Sequence, residues 1–283
     1  MGISPNGDAE LPGEGALSVT EHPFTLSQEL DLALELAAVA DEIVIRHFRP
    51  EGYAFENKYD GSPVTAIDRR VEQAIRDLVA IRRPGYAVLG EEEGLGDGAD
   101  DGRPRWIVDP IDGTRKFARG IPIFATLLAL ERDGEIVVGV ASAPLMGKRG
   151  RRWWAAKGLG AFADGRLLEV SRVSRLQDAH VLHGSVEGFV RKGVGPALLD
   201  LSARCWGTTG PGDFWIHLLV AEGKAEAAVE PEAAVWDVAA LKLIVEEAGG
   251  RFSDFAGRNT PSGGNAVSSN GLLHDEILAL LRA

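Results

Sequence analysis

Cysteine occurs once in 283 residues, at Cys205, which excludes an internal disulfide and fits a reducing compartment. With no cationic motif around it in sequence, Cys205 reads as a space-filling thiol rather than a nucleophile. Basic residues are also in deficit. Thirty Lys and Arg against 42 Asp and Glu leave a formal charge of −12, too acidic to displace counterions from a nucleic-acid backbone. The one basic cluster, Lys148, Arg149, Arg151 and Arg152, reads as a solvated hairpin turn. No membrane span is expected, because the longest central apolar stretch, Ile121 to Leu130, is too short and closes with Glu131. Residues 1–24 are Gly/Pro-rich and acidic, without the basic start and apolar centre of a signal peptide; a mobile tail and a cytoplasmic protein are expected. Absent too are a His-Glu-x-x-His pair and a P-loop lysine motif, and Gly184-Ser185-Val186-Glu187-Gly188 misses the nucleophile elbow by one position. A side-chain nucleophile is therefore disfavoured, and water activated by a metal remains.

Ordinary apolar content at this length supports a large core, as one large domain or two modest ones. Thr25 and Gln28 stand at capping-box spacing before a helical pattern that Arg49-Pro50 ends. A second helix is expected from Thr65, with Asp68 three residues on and Val71, Ala74, Ile75 and Leu78 on its buried face. After Pro84-Gly85 the pattern becomes extended: 86–89, 106–108, 124–130, 136–141 and 153–156. Asp133-Gly134 and Asp164-Gly165 are hairpin signals, so an antiparallel sheet is expected. From about residue 173 strands alternate with helices: strands at 180–183, 225–229, 251–255 and 266–269, helices at 213–222, 236–248 and 272–281. The expected fold class is α/β with an α+β N-terminal part: residues 25–172 with the antiparallel sheet, then 173–283 as an α/β domain.

Arg105-Trp-Ile-Val-Asp-Pro-Ile-Asp-Gly-Thr-Arg-Lys-Phe117 carries the chemistry. A strand through Trp106–Val108 would deliver Asp109 to its carboxyl end, where ligands collect in α/β folds, and Pro110 would stop it. Asp112 can then cap a helix while Gly113 lets backbone N–H groups approach an anion. Two carboxylates this close repel unless a cation lies between them, and an all-oxygen donor set selects a hard ion such as Mg²⁺. Glu91, in Gly90-Glu91-Glu92-Glu93-Gly94, would join Asp109 if their strands are neighbours; otherwise it belongs to a solvated acidic loop. Glu92 and Glu93 read as outward-facing or supporting groups. Asp237, after Trp236 at a helix start, reads as a dipole partner and as a ligand, roles that do not compete. Asp68 reads as a capping group or as a buried acid that orients a water.

These motifs resemble the inositol monophosphatase family, whose two signatures correspond to Trp106-Ile-Val-Asp-Pro-Ile-Asp-Gly-Thr114 and Trp236-Asp-Val-Ala-Ala240. Gly90-Glu91-Glu92, Pro63-Val64-Thr65-x-x-Asp68 and the ending Ser269-Asn270-Gly271 extend the likeness over nearly the whole chain after the tail. Gly212-Asp213-Phe214-Trp215, Leu219-Val-Ala-Glu-Gly223, Glu230-Pro231-Glu232, the Arg152–Ala156 hairpin and the 271–276 ending are most similar to its bacterial histidinol-phosphatase branch. The resemblance implies the layered αβαβα sandwich shared with fructose-1,6-bisphosphatase, a homodimer, and a small phosphorylated alcohol as substrate. It implies two or three Mg²⁺ ions on Glu91, Asp109, the Ile111 carbonyl, Asp112 and Asp237, with phosphate on Gly113 and Thr114. Asp68 and Thr114 would orient and deprotonate the attacking water, making Asp68, Glu91 and Thr114 catalytic. Asp213 and Glu230 would face a cationic leaving alcohol such as histidinol, with inositol phosphate as the alternative substrate. A non-catalytic, cation-responsive binding protein is the competing class, although every carboxylate needed for catalysis is present. Two departures stand out: Lys116 replaces the family's usual asparagine, and Trp206-Gly-Thr-Thr-Gly-Pro211 differs from the Arg/Tyr-containing approach to Gly-Asp-Phe in histidinol phosphatases.

Overall fold

The computed structural model describes residues 23–53, 56–57, 63–64, 66–95 and 102–282. The tail expected at 1–24 lies outside these residues up to position 22, as does Thr65, the expected start of the second helix. Helix α1 (Leu26–His47) begins with the Thr25–Gln28 capping box, each residue's side chain bonding the other's backbone. A two-stranded pair, β1 (Glu56–Asn57) and β2 (Pro63–Val64), precedes α2 (Ala66–Arg82).

The first sheet has seven strands in simple sequence order: β3 (Ala87–Gly90), β4 (Arg105–Asp112), β5 (Ala125–Arg132), β6 (Glu135–Ala143), β7 (Arg151–Ala156), β8 (Gly160–Ala163) and β9 (Arg166–Leu167). Asp133 and Gly134, like Asp164 and Gly165, all adopt positive φ, the geometry of a two-residue hairpin turn. The sheet departs from a purely antiparallel one at its edge, where β3 runs parallel to β4. Between β4 and β5 stands the short helix α3 (Thr114–Ala118).

The second sheet has the order β11 (Gly207–Thr209), β10 (His180–His183), β12 (Ala227–Glu230), β14 (Ala266–Ser269), β13 (Arg251–Ser253), with parallel and antiparallel pairs. The helices of this half are α4 (Val186–Arg191), α5 (Gly195–Arg204), α6 (Phe214–Ala221), α7 (Val235–Glu247) and α8 (His274–Leu281). Helices α4 and α5 fill the stretch after β10, where the sequence reading placed no element.

Side-chain alternation along the strands builds the layers. Trp106, Val108, Leu128, Val138 and Val140 face α1 and α2, whereas Ile107, Leu127, Ala129, Ala141 and Trp153 face α6 and α7. Leu182 and Ala228 meet α6 from the second sheet, and Phe252 and Ala266 meet α7. Val181, Val229 and Val267 turn the other way, onto α5 and α8. The result is five layers, αβαβα. Because α6 and α7 are covered by a sheet on both sides, they are apolar nearly all round rather than along one stripe, as in Phe-Trp-Ile-His-Leu-Leu-Val-Ala of α6. Burial of rings such as Trp106 and Trp153, both fully buried, contributes roughly 2–3 kcal/mol each.

Ion pairs pin the layers. Buried Glu29 of α1 takes Arg83, Arg132 and the hydroxyl of Tyr86. Arg151 and Arg152 of the basic cluster are committed likewise, Arg151 to Glu222 and Asp164, Arg152 to Asp41. Lys148 and Arg149 remain exposed at the turn. Cys205 is partly buried, its Sγ near the carbonyls of Ser202 and Gly207, and burial raises its pKa. Among the described residues no helix is long and apolar enough to cross a membrane.

Candidate active site

Parallel pairing of β3 with β4 sets Gly90 opposite Val108, so Glu91, just past the end of β3, comes beside Asp109, still within β4. The Glu91 N–H donates to the Val108 carbonyl at 3.2 Å. The turn that carries Glu91 is held from beneath by α2. Buried Glu72 accepts from the backbone N–H groups of Glu92 at 2.8 Å and Glu93 at 3.1 Å. Arg76, one helical turn on, bonds Glu72 and also the carbonyls of Val88 and Gly94. A Cβ on Gly90 would stand 2.2 Å from the Glu72 carboxyl, so only glycine leaves room for this brace. Glu92 is not outward-facing; its side chain is 4 % exposed and lies 3.5 Å from Arg69.

Pro110 does not stop its strand. β4 continues to Asp112, and its pairing with β5 slips between Asp109 and Asp112, where three β4 steps match two on β5. Proline lacks an N–H and is tolerated where a bulge suspends the ladder. Thr126 Oγ1 donates to the Pro110 carbonyl at 2.8 Å, satisfying it there. The bulge keeps both Asp109 and Asp112 on strand backbone while turning their carboxylates to one place.

Nor does Asp112 cap α3. Gly113 is the N-cap, at φ 86° and without a side-chain cap bond. Asp112 Oδ2 instead accepts from the Phe214 N–H at 2.5 Å, tying the bulge to the start of α6. Thr114 Oγ1 donates to the Ile111 carbonyl at 2.9 Å, which leaves that oxygen a second lone pair.

Asp237 enters from the second sheet's side, in the first turn of α7, where it accepts from the Ala234 N–H at 2.7 Å. One carboxylate oxygen each from Asp109, Asp112 and Asp237 lies within 4.8 Å of the others. Asp68, buried in the first turn of α2, is close enough for its charge to act on Asp109. Glu91, Asp112, Gly113, Thr114, Asp213 and Glu230 line one cavity of about 450 Å³, and Asp237 joins them there. The structure therefore brings all ten singled-out residues, Ile111 included, to one place.

The electrostatics are those of acids with too little positive charge. Asp109 is held well above the usual carboxylate range by burial, then by Glu91, Asp112, Asp237 and Asp68. Asp112 is raised by burial and by Asp213 and Asp237, against the Phe214 N–H and Lys116. Burial is also the main cause lifting Asp237 to about 7, opposed by the Ala234 N–H and reinforced by Glu91 and Asp213. Glu230 is pushed to about 8 by burial, with Asp213, Asp237 and Glu232 adding to it and Lys116 opposing. Asp109 Oδ1 is buried without a hydrogen-bond partner. An orphaned carboxylate oxygen beside further carboxylates is what a hard divalent cation satisfies, so the donor set fits one. The arrangement can hold such a cation beside the amides that open α3, where a phosphoryl group binds favourably.

Sequence reasoning missed Glu72 and Arg76. The available signal was a charged residue next to Val71 within the apolar stripe of α2, with an arginine at i+4. It missed also the left-handed backbone of Asp213, φ 55°, and the salt bridge from Lys116 to it at 2.5 Å.

A Mycobacterium tuberculosis histidinol-phosphatase is 46 % identical over 260 residues, covering 90 % of this chain and 98 % of that protein. A Streptomyces coelicolor histidinol-phosphatase is 43 % identical, covering 89 % and 96 %. An inositol-1-monophosphatase from Caulobacter vibrioides is 38 % identical, covering 78 % and 87 %. Among solved structures, an inositol monophosphatase from Thermotoga maritima superimposes with a TM-score of 0.80 at 30 % identity, covering 90 % of this chain and 97 % of that one. With the family's sequence profile matched over residues 25–283, the chain belongs to the inositol monophosphatase family.

Proposed function

We propose that the protein is a Mg²⁺-dependent phosphomonoesterase that hydrolyses L-histidinol phosphate to L-histidinol and phosphate. The observation that carries the reading is the convergence of Asp109, Asp112 and Asp237 beside an α3 N-terminus, with the acids Asp213 and Glu230 across the same cavity. The near-half identity to two histidinol-phosphatases supports the choice of leaving alcohol. In this reading Glu91, Asp109, the Ile111 carbonyl, Asp112 and Asp237 hold two or three ions. Bound there, divalent ions lower the pKa of water, polarise the phosphoryl oxygens and offset charge on the leaving oxygen. Gly113 and Thr114 hold phosphate through their backbone N–H groups. Asp68, with Thr114, orients the attacking water and takes its proton. Asp213 and Glu230 give a cationic alcohol its negative partners. A homodimer, a cytoplasmic setting and a division of the chain near residue 173 belong to the same proposal, supported by the family likeness and the sequence pattern.

An inositol monophosphate is the second substrate reading, favoured by Lys116, whose charge already occupies Asp213. Phosphate release from L-histidinol phosphate, inositol monophosphate, fructose bisphosphate and adenosine bisphosphate, with and without Mg²⁺, tests both. Metal-dependent release with the highest kcat/KM on L-histidinol phosphate is expected. Preference for inositol monophosphate would reverse the choice, and no release from any ester would leave a cation-binding protein without catalysis.

A further inference from the structure

Lys116 stands on α3, two residues beyond Thr114, and lines the cavity. Its ammonium lies 2.5 Å from Asp213 Oδ2 and donates to the Pro211 carbonyl at 2.5 Å. Asp213 is the N-cap position of α6, yet its side chain makes no cap bond there. It is turned across the cavity instead, so that Oδ2 comes within 3.2 Å of where a Cβ on Gly113 would stand. The ammonium therefore shares one cavity with Gly113 and Thr114 on one hand and the acidic wall of Asp213 and Glu230 on the other. Both members of the pair keep contact with solvent, at 23 % and 36 % exposure, so the bridge is of the kind that opens easily.

An arriving phosphoryl group brings two negative charges to the start of α3 and competes with Asp213 for the same ammonium. If Lys116 turns to it, Asp213 loses its counterion while Asp112, Asp237 and Glu230 remain nearby, each already influenced by Asp213 or Lys116. A neutral alcohol leaves that carboxylate uncompensated. An ammonium on the same molecule restores the balance.

We propose that Lys116 couples the two ends of the substrate: it neutralises Asp213 in the free site, turns to the phosphoryl group on binding, and so reserves Asp213 for a cationic group on the same ester. This rests on reading the site as a phosphomonoesterase, and it narrows the substrate class to phosphate esters of amino alcohols. Selection then comes from an exchange of partners, in which a wrong substrate is penalised by the charge it fails to cover.

The test uses reaction products, so no turnover intervenes. Calorimetric titrations of the Mg²⁺-loaded full chain measure L-histidinol, and separately ethanolamine, with and without saturating inorganic phosphate. In the wild type, phosphate is expected to tighten each amino alcohol about tenfold, and each amino alcohol to tighten phosphate by the same factor. Lys116→Met should bind either amino alcohol alone about tenfold more tightly than the wild type, with the gain from phosphate reduced to about twofold or less. Lys116→Arg, which keeps the charge, should retain the coupling and controls for a merely structural loss. Wild-type-sized coupling in Lys116→Met, or no binding or no coupling of either amino alcohol in the wild type, overturns the proposal. Turnover of L-histidinol phosphate is read separately. Coupling with ethanolamine but no hydrolysis of that ester would retire the histidinol reading and leave Lys116's role standing.

Discussion

Removing divalent metal should make this protein less stable as the solution becomes more basic, in a window set by two named carboxylates. Glu230 and Asp237 have folded pKa values near 8 and 7, above their ordinary 4.5 and 3.8. A raised carboxylate pKa means that the folded chain binds the proton more tightly, so stability declines from the unfolded pKa up to the folded one. Two histidines act oppositely below that window: His217 and His274 are buried and lowered from 6.5 to about 4, which raises stability as pH climbs to 6.5. Above pH 6.5 the histidine contribution is complete and only the carboxylates act. At about 1.4 kcal/mol per pKa unit, Glu230 loses about 2 kcal/mol between pH 6.5 and 8.5 and Asp237 about 1 kcal/mol. Asp109 and Asp112, both raised, act with the same sign. For a chain of this length about 3 kcal/mol corresponds to roughly 5 °C in Tm. Differential scanning fluorimetry of chelator-treated protein from pH 6.5 to 8.5 reads it directly. Glu230→Gln should remove about two-thirds of the decline, and saturating Mg²⁺ should restore Asp237's share. A metal-free Tm that stays flat or rises across the window, or a Glu230→Gln slope equal to wild type, would refute the electrostatic account.

Asp112→Asn should remain folded, because an amide oxygen can still accept from the Phe214 N–H, while phosphate release falls on the order of 10³-fold; near-normal turnover would exclude Asp112 from the metal set. Glu72→Gln should loosen the Glu91 turn and raise the Mg²⁺ concentration for half-maximal activity about 10- to 100-fold, with kcat largely recovered at saturating metal. An unchanged metal titration would show the brace to be dispensable. Asp213→Ala should lower kcat/KM for L-histidinol phosphate about tenfold more than for inositol monophosphate; equal losses for the two esters would remove Asp213 from substrate selection.

Local features were legible where one stretch of chain decides them. The Thr25–Gln28 box, the Asp-Gly hairpins, and the apolar run ending in Asp109 all follow from a few adjacent residues. What stayed hidden depends on partners far away in sequence. Pro110 reads locally as a strand breaker, but Thr126 sixteen residues on supplies the bond that makes a bulge there acceptable. Asp112 reads as a cap until α6 presents the Phe214 N–H to it. Glu72 and Arg76 look like a surface i,i+4 pair until β3 and the turn after it settle on them. The parallel edge of the first sheet could not be read either, since hairpin signals announce antiparallel neighbours and β3 reaches β4 through a long connection. Helices α4 and α5 are short and carry exposed Val186, Val190 and Leu199, which blurs the apolar stripe that would announce them.

The two helices clasped between the sheets both begin at the cavity, α6 at Phe214 and α7 at Val235. Their sides are dehydrated by strands above and below, so neither can tilt or slide without dragging a sheet along. Asp237, and the Phe214 N–H that holds Asp112, are thus mounted on helices gripped from both sides. The chain leading into α6, residues 207–213, lies outside that grip, and Lys116 fastens its Pro211 and Asp213 from the opposite bank. Drift in that short rim over evolutionary time could retune which alcohol is accepted while Asp112 and Asp237 stay where they are.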